Sequence, residues 1–394
     1  MPYNAPKKFQ PFELGQICSR LSSGKGISAE EISDKGTFPV YGGNGLRGYS
    51  EKKNFEGQCA IVGRQGAFCG NVRYFSGEAY MTEHAIVVCA NEKSDTRYLS
   101  YVLGTMALGR LSGQSAQPGL SVKTLSKQII LLPDVNTQRR IASLLALFDE
   151  KIALNAQINQ NLEAQAQAIF KSWFVDFEPF GGSIPEGWQE TRLSQLADFI
   201  GGYSYKGDEL QASDCAMATI KNFDRNGGFK LDGFKEIIPS EKLKAAQNID
   251  LFDILVAHTD LTQNAEVIGN AELVLSKAGY KKLIMSMDLV KVVPKEGIST
   301  FLLAALLRSP QFKSHALGYV NGTTVLHMSK KALPEFSFIF PSKWSSLKNL
   351  SATLEHMYRK MSQTIEESNS LAVLRDTLLP KLMSGEIDVS DVEV

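Results

Sequence analysis

The sequence predicts an α+β chain. Two mixed α/β globular regions alternate with two long helices, the helices pair as an antiparallel coiled coil, and the whole forms a pseudo-twofold internal repeat. Three observations carry this. A strand ending in proline occurs twice, as Gln128-Ile-Ile-Leu-Leu-Pro133 and Phe336-Ser-Phe-Ile-Phe-Pro341, with the prolines 208 residues apart. After each comes a stretch rich in good helix formers whose apolar residues recur at alternating steps of four and three. Between the halves, Pro179-Phe-Gly-Gly-Ser-Ile-Pro-Glu-Gly-Trp188 places three glycines and two prolines in ten residues, a linker signature.

Taken in order, residues 1–137 form the first globular region. Over 38–90, glycine turns alternate with short β-branched runs such as Ala60-Ile-Val62 and Ile86-Val-Val88, which predicts a β-rich domain, and 94–110 reads as helix. The polar loop Ser112–Pro118 and the lead-in Ser121-Val-Lys123-Thr-Leu125 precede the first strand–proline unit. Residues 138–178 are the first helix. Its seam is Ile141, Leu145, Phe148 and Ile152, then the polar pair Asn155 and Asn159, then Leu162. Residues 179–345 are the second globular region, opening with Leu193-Ser-Gln-Leu-Ala-Asp-Phe-Ile200, which parallels Leu14-Gly-Gln-Ile-Cys-Ser-Arg-Leu21. It contains the strands Ile254–Val256 and Leu289–Val293, a helix over Ser299–Arg308, a polar loop at Asn321–Thr324 and the lead-in Ser329-Lys-Lys331-Ala-Leu333. Residues 346–394 hold the second helix and a tail. Adding 209 to the first seam gives Leu350, Leu354, Met357 and Met361, then Thr364 and Ser368, then Leu371, so the polar middle is kept. Antiparallel packing sets Asn155 and Asn159 against Thr364 and Ser368 as register pins. Arg375 breaks the apolar pattern, and Pro380 is expected to end or kink the second helix.

Composition narrows the function classes. With 394 residues, 43% hydrophobic, the chain can build two or three cores. Five scattered cysteines without a CxxC pair read as reduced thiols, and five dispersed histidines give no metal-ligand cluster, with His84 read as structural. No apolar run reaches the length of a membrane span and the first residues lack a secretory pattern, so a cytoplasmic protein is expected. There are 42 basic and 42 acidic residues. The first globular region is mildly basic and the helical segments slightly acidic, a thin footprint for a nucleic-acid binder that would need a more basic partner.

The motifs resemble the specificity subunits of type I restriction–modification systems. The residues that carry the resemblance are Phe38-Pro-Val-Tyr-Gly-Gly-Asn-Gly45; the unit ending at Pro133; Gln138-Arg-Arg-Ile-Ala142; Ile169-Phe-Lys-Ser-Trp-Phe-Val-Asp-Phe177; Ile184-Pro-Glu-Gly-Trp188; and Leu378-Leu-Pro-Lys-Leu-Met-Ser-Gly-Glu-Ile387. The second helix departs from the pattern, with Leu347-Lys-Asn-Leu350 where a Gln-Arg start would stand. The resemblance implies that each globular region is a target-recognition domain and that the helices are a spacer docking two adenine-N6 methyltransferase subunits, with nuclease–translocase subunits joining for cleavage. It also implies no catalytic site and no cofactor in this chain: S-adenosylmethionine, ATP and Mg would be bound by the partner subunits. Independently of the name, a helix of about 36 residues spans about 54 Å at 1.5 Å per residue, more than one turn of DNA. Two diverged reading heads predict a bipartite, asymmetric site in double-stranded DNA.

Direct readout needs Arg or Lys for guanine, Asn or Gln for adenine, and small polar groups for either. The candidates are Arg47, Arg64, Gln65, Gln114 and Gln117 in the first half. In the second they are Tyr203, Tyr205, Lys206, Lys221, Asn222, His258, Thr259, Thr323 and Thr324, with Lys25, Lys52, Lys53 and Lys330 for phosphates. Two rival classes are weighed. A free-standing methyltransferase or nuclease lacks its motifs: there is no Asn/Asp-Pro-Pro-aromatic sequence and no glycine-rich cofactor loop, and Asp176-Phe-Glu178 sits where a helix ends. A coiled-coil scaffold without DNA recognition explains the helices but not two diverged, loop-rich domains at matching positions.

Overall fold

The glycine-punctuated β-branched runs of the N-terminal region form a six-stranded sheet. In the computed structural model, which describes residues 9–112, 119–225, 227–262, 264–390 and 392, the chain divides into two units. The first comprises Met1–Lys151 with Leu371–Val394, the second Ile152–Ser370.

In the first unit the strands are β1 (Gln10–Glu13), β2 (Cys18–Ser23), β3 (Phe38–Gly42), β4 (Gly45–Ser50), β5 (Phe55–Gly63), β6 (Val72–Met81) and β7 (Ala85–Ala90). Helices α1 (Thr96–Thr105) and α2 (Val122–Ser126), strand β8 (Ile129–Leu132) and the long helix α3 (Val135–Phe174) follow. The sheet runs β2-β7-β5-β6-β3-β4, and β1 pairs with β8 separately. Asp95 starts α1 by accepting the Tyr98 N–H at 2.9 Å, an N-cap that satisfies one of the helix's orphan donors. One sheet face packs Ala60, Val62, Ile86 and Val88 against Tyr98, Leu99 and Leu103 of α1 and Ile141 and Leu145 of α3. The other face buries Cys59, Ile61, Met81 and Val87.

The second unit begins with β9 (Trp188–Arg192), α4 (Leu193–Leu196), β10 (Ala197–Gly201), β11 (Cys215–Ala218), β12 (Lys235–Glu236), β13 (Asn248–Ile249), β14 (Ile254–Ala257), β15 (Thr259–Asp260), β16 (Ala271–Leu273), β17 (Lys282–Met285) and β18 (Leu289–Pro294). Then come α5 (Thr300–Leu307), α6 (Pro310–Leu317), β19 (Val320–Asn321), β20 (Leu326–Met328), α7 (Ala332–Glu335), β21 (Ser337–Pro341) and α8 (Lys348–Ser384). Its sheets are β10-β18-β14-β16, β12-β11-β17-β13, β15-β20-β19 and the pair β21-β9, the counterpart of β1-β8. Arg308, at the end of α5, is half-buried. It meets Glu163 of α3 at 3.1 Å and Glu272 of β16 at 3.0 Å, so the buried Glu272 carboxylate and the half-buried Glu163 are both paired with it.

The long helices are antiparallel, as each unit shows separately. In the first, Ile141 and Leu145 near the start of α3 pack with Leu378 and Leu382 near the end of α8. In the second, Leu162 and Ile169 pack with Leu350, Leu354 and Met361 near the start of α8. None of the seam positions is exposed: Leu145, Asn155, Leu354, Met361 and Thr364 are buried, and Phe148, Ile152, Asn159, Leu162, Met357, Ser368 and Leu371 half-buried. The Asn155 side-chain amide donates to Glu367 Oε2 at 2.9 Å, Ser368 Oγ at 3.2 Å and the Thr364 carbonyl at 3.4 Å, and Thr364 Oγ1 donates to Asn159 Oδ1.

Two readings of α8 are corrected or completed. Pro380 does not end the helix, which continues to Ser384. Only one intrahelical donor is lost, and the turn beyond carries Leu382, fully buried in the first unit's core, so packing outweighs the missing bond. Arg375 departs from the apolar seam because it reaches Asp149 of α3 at 2.6 Å and its neighbour Asp376 at 2.8 Å.

Candidate nucleic-acid interface

The predicted DNA-reading residues come from segments far apart in sequence, and main-chain hydrogen bonds gather most of those segments around one turn in each unit. In the first unit the turn is Thr82–His84, between β6 and β7. Gly24 N donates to Ala85 O at 3.0 Å, Lys25 N to Met81 O at 3.0 Å, and Thr82 N to Tyr41 O at 2.9 Å. Arg64 N donates to His84 O at 2.9 Å, and Arg64 O accepts from Leu120 N at 2.8 Å. In the second unit the turn is Ser286–Asp288, between β17 and β18, and the same five bonds recur. Gly202 N donates to Leu289 O at 3.1 Å, Tyr203 N to Met285 O at 2.8 Å, Ser286 N to Ala218 O at 2.9 Å, His258 N to Asp288 O at 2.7 Å, and Met328 N to His258 O at 2.9 Å. Glycine is required at the first position of each set. A Cβ on Gly24 would stand 2.1 Å from Met81 O, and one on Gly202 1.9 Å from Ser286 O.

These bonds define equivalent positions that sequence similarity does not reveal. Lys25 corresponds to Tyr203, Gly42–Asn44 to Thr219–Lys221, Arg64–Gln65 to His258–Thr259, Thr82–His84 to Ser286–Asp288, and Gly119–Leu120 to His327–Met328. The backbone frame is shared and the side chains on it differ.

In the first unit Lys25, Arg47 and Gln65 are exposed. Arg64 is half-buried, its Nη1 donating to Glu83 O at 3.3 Å, which aims the guanidinium. The Arg47 side chain lies against Gly42. Lys52 pairs with Glu31, and Lys53 with Glu56 and Glu78, so these two cations already face carboxylates of the protein. Gln114 and Gln117 lie outside the described residues. Sequence reasoning missed Arg73, an exposed residue of β6 whose guanidinium lies against Gly45 at the start of β4. Only strand pairing brings it there. His84, read as structural, is half-buried, 3.2 Å from Glu83 Oε1.

In the second unit Lys206, Lys221, Thr323, Thr324 and Lys330 are exposed, and Tyr205 is half-buried with the Lys235 ammonium 5.9 Å from its ring centre. His258 is half-buried. Burial first, and the nearby His327 and Lys330 second, hold its pKa below the usual histidine value, so it is neutral at pH 7. Three expectations are corrected. Tyr203 is buried, its hydroxyl donating to the Glu209 carboxylate at 2.9 Å. Asn222 is fully buried, accepting from Thr219 N at 2.8 Å and donating to Lys230 O at 2.7 Å. Thr259 is buried, donating to Asp288 Oδ1 at 2.9 Å. Their polar atoms are committed internally, so these residues shape the surface and do not present a group to bases.

Elsewhere, Asp176 pairs with Lys171 and Glu178 accepts from Ser172, which ties down the end of α3. Among the described residues no group of three or more His, Cys, Asp and Glu could hold a metal ion, and no helix is long and apolar enough to cross a membrane.

Comparison with known proteins agrees with the resemblance read from the sequence. Residues 6–164 match the family model described as "Type I restriction modification DNA specificity domain". The chain is 38% identical over 140 residues to the type I restriction enzyme EcoprrI specificity subunit of Escherichia coli, an alignment spanning 34% of this chain and 35% of that one. It is 24% identical over 332 residues to the HindI specificity subunit of Haemophilus influenzae, spanning 68% of this chain and 71% of that one. Its fold is that of the crystal structure of a type I restriction–modification S subunit from M. genitalium, with a TM-score of 0.61, 17% identity and 97% of each chain covered.

Proposed function

We propose that this chain, a relative of the type I specificity subunits, is the sequence-reading subunit of a DNA adenine-N6 methyltransferase and restriction complex, with no catalytic site of its own. The observation that carries the proposal is the duplicated frame: the same five backbone bonds present different side chains around the Thr82 turn and the Ser286 turn. A shared frame with divergent side chains is what reading two different half-sites with one architecture requires. In the first unit, Arg47 and Arg64 address guanine edges, Gln65 addresses adenine, and Lys25 and Arg73 hold phosphates. In the second, His258, Thr323 and Thr324 read bases while Lys206, Lys221 and Lys330 position the backbone. The antiparallel helix pair is the spacer on which two methyltransferase subunits dock, and restriction subunits join that assembly. S-adenosylmethionine, ATP and Mg belong to those partners, and the near-neutral charge of this chain fits a complex in which they supply part of the phosphate contact.

The test is a substitution read out on the modified motif. Arg64→Ala is expected to relax one base position of one half-site, costing about 1–3 kcal/mol of discrimination, and to leave the other half-site unchanged. The measurement is sequencing of methylated adenines in cells carrying the variant. An unchanged motif would remove Arg64 from the reading set. A motif altered in both halves would contradict the assignment of one half-site to each unit.

A further inference from the structure

The second unit holds three apolar side chains out into solvent beside its reading turn. Leu261 is 68% exposed, Met287 57% and Val325 36%. Asp260 pairs with Leu326 at the end of the β15–β20 ladder, so Leu261 and Val325 are the next residues on the two strands. Met287 is the middle residue of the turn, and its N–H donates to Tyr203 O at 2.8 Å. At the two positions that correspond through the frame the first unit has Ala67 for Leu261 and Glu83 for Met287, with exposed Phe68 beside Ala67.

These are not loose loop residues. Buried Asp260 binds four donors: Thr262 N at 2.7 Å, Thr262 Oγ1 at 2.8 Å, Val267 N at 2.6 Å and Ile268 N at 3.0 Å. That carboxylate fixes the backbone at Thr262, Val267 and Ile268, next to Leu261. On the other side, Asp288 accepts from Thr259 Oγ1 at 2.9 Å and its carbonyl accepts from His258 N, which fixes the backbone beside Met287. Holding large apolar groups in water on a braced backbone is unfavourable unless something apolar covers them. The surrounding side chains say what kind of partner that is. Thr323 and Thr324 offer hydroxyls and His327 and Lys330 offer positive or polarisable groups, and all four are exposed. That mixture is complementary to a duplex groove edge, where phosphates flank bases and the one apolar group is the 5-methyl of thymine.

We infer that Leu261 and Met287 read thymine 5-methyl groups, so that the half-site addressed by the second unit contains thymine recognised by apolar contact. The inference deepens the DNA-reading proposal and rests on it.

The experiment uses the full chain assembled with its cognate methyltransferase and duplexes carrying the methylated motif. Each thymine in turn is replaced by deoxyuridine, which removes only the methyl group, and affinity is read by fluorescence anisotropy. Loss of about three- to tenfold is expected at one or more thymines of a single half-site. Leu261→Ala or Met287→Ala should weaken binding to normal DNA by a similar factor and then show no further loss on the deoxyuridine duplex, the non-additivity expected of two groups in contact. The inference is overturned if no thymine methyl matters to the wild-type complex, or if the variants keep the wild-type response to deoxyuridine. It is also overturned if the variants lose the methyltransferase while base discrimination stays intact, which would make this a protein-docking face. Absence of any sequence preference is a separate result that removes the DNA-reading proposal itself.

Discussion

At the scale of single residues, the second unit is held by a charge arrangement that the sequence did not announce. Arg308 is half-buried, and both its partners come from other elements, Glu163 from α3 and Glu272 from β16. Burial pushes the Glu272 carboxyl upward, and Arg308, together with the Gly228 N–H, opposes that shift. Removing the guanidinium leaves two carboxylates near each other with no cation between them, and only the Gly228 N–H, at 2.6 Å from Glu272 Oε1, still stabilises the buried one. Arg308→Met is therefore expected to destabilise the chain by about 3–5 kcal/mol in thermal or denaturant unfolding, and adding Glu163→Gln and Glu272→Gln to recover much of the loss, since no buried charge then remains. A cost below about 1 kcal/mol for Arg308→Met alone would show that the network is not integral to the unit. From sequence, Arg308 closed a predicted helix and nothing more. Its ion pairs need strands and helices over a hundred residues apart to be folded first. The same is true of Tyr203, Asn222 and Thr259, whose residue types are right for DNA contact and whose burial removes them from it.

At the scale of elements, the long helices were the most legible part of the chain. The 3.5-residue period survives duplication and needs no tertiary knowledge, and the four polar seam residues bond to one another as the antiparallel reading requires. That layer is a register device with a cost. Asn155 is fully buried, and among the described residues its Oδ1 has no partner although its amide group has three acceptors. Asn155→Ala is expected to lower stability by about 1–3 kcal/mol, because Thr364 and Ser368 lose a partner. Asn155→Leu together with Thr364→Val should restore or exceed wild-type stability in the same unfolding experiment while weakening register control. If the double variant is no more stable than Asn155→Ala, the polar layer is contributing net stability and is not mainly a pin. Pro380 shows the limit of local rules: one missing N–H near a helix end is a small loss against burial of Leu382. The globular regions were legible as β-rich but not as duplicates beyond their first residues. Their shared frame is made of backbone N–H and C=O groups, which almost any side chain can accompany, so it leaves no trace except glycine where atoms crowd, at Gly24 and Gly202.

At the scale of the whole molecule, a chain of zero formal charge reads as an unpromising nucleic-acid binder, and composition alone would have pointed elsewhere. The duplicated frame changes that reading, because the proposed function places specificity in a few positions repeated on two units and not in bulk charge. The central claim is that this chain chooses which adenines its partners modify. It is tested most directly by mapping N6-methyladenine across the host genome with and without the gene, while the cognate methyltransferase is expressed. Deletion is expected to abolish methylation at one split, asymmetric motif and at no other, and restoring the chain to restore it. Methylation unchanged at every motif would contradict the central claim and leave the helix pair as the framework of a protein with some other role.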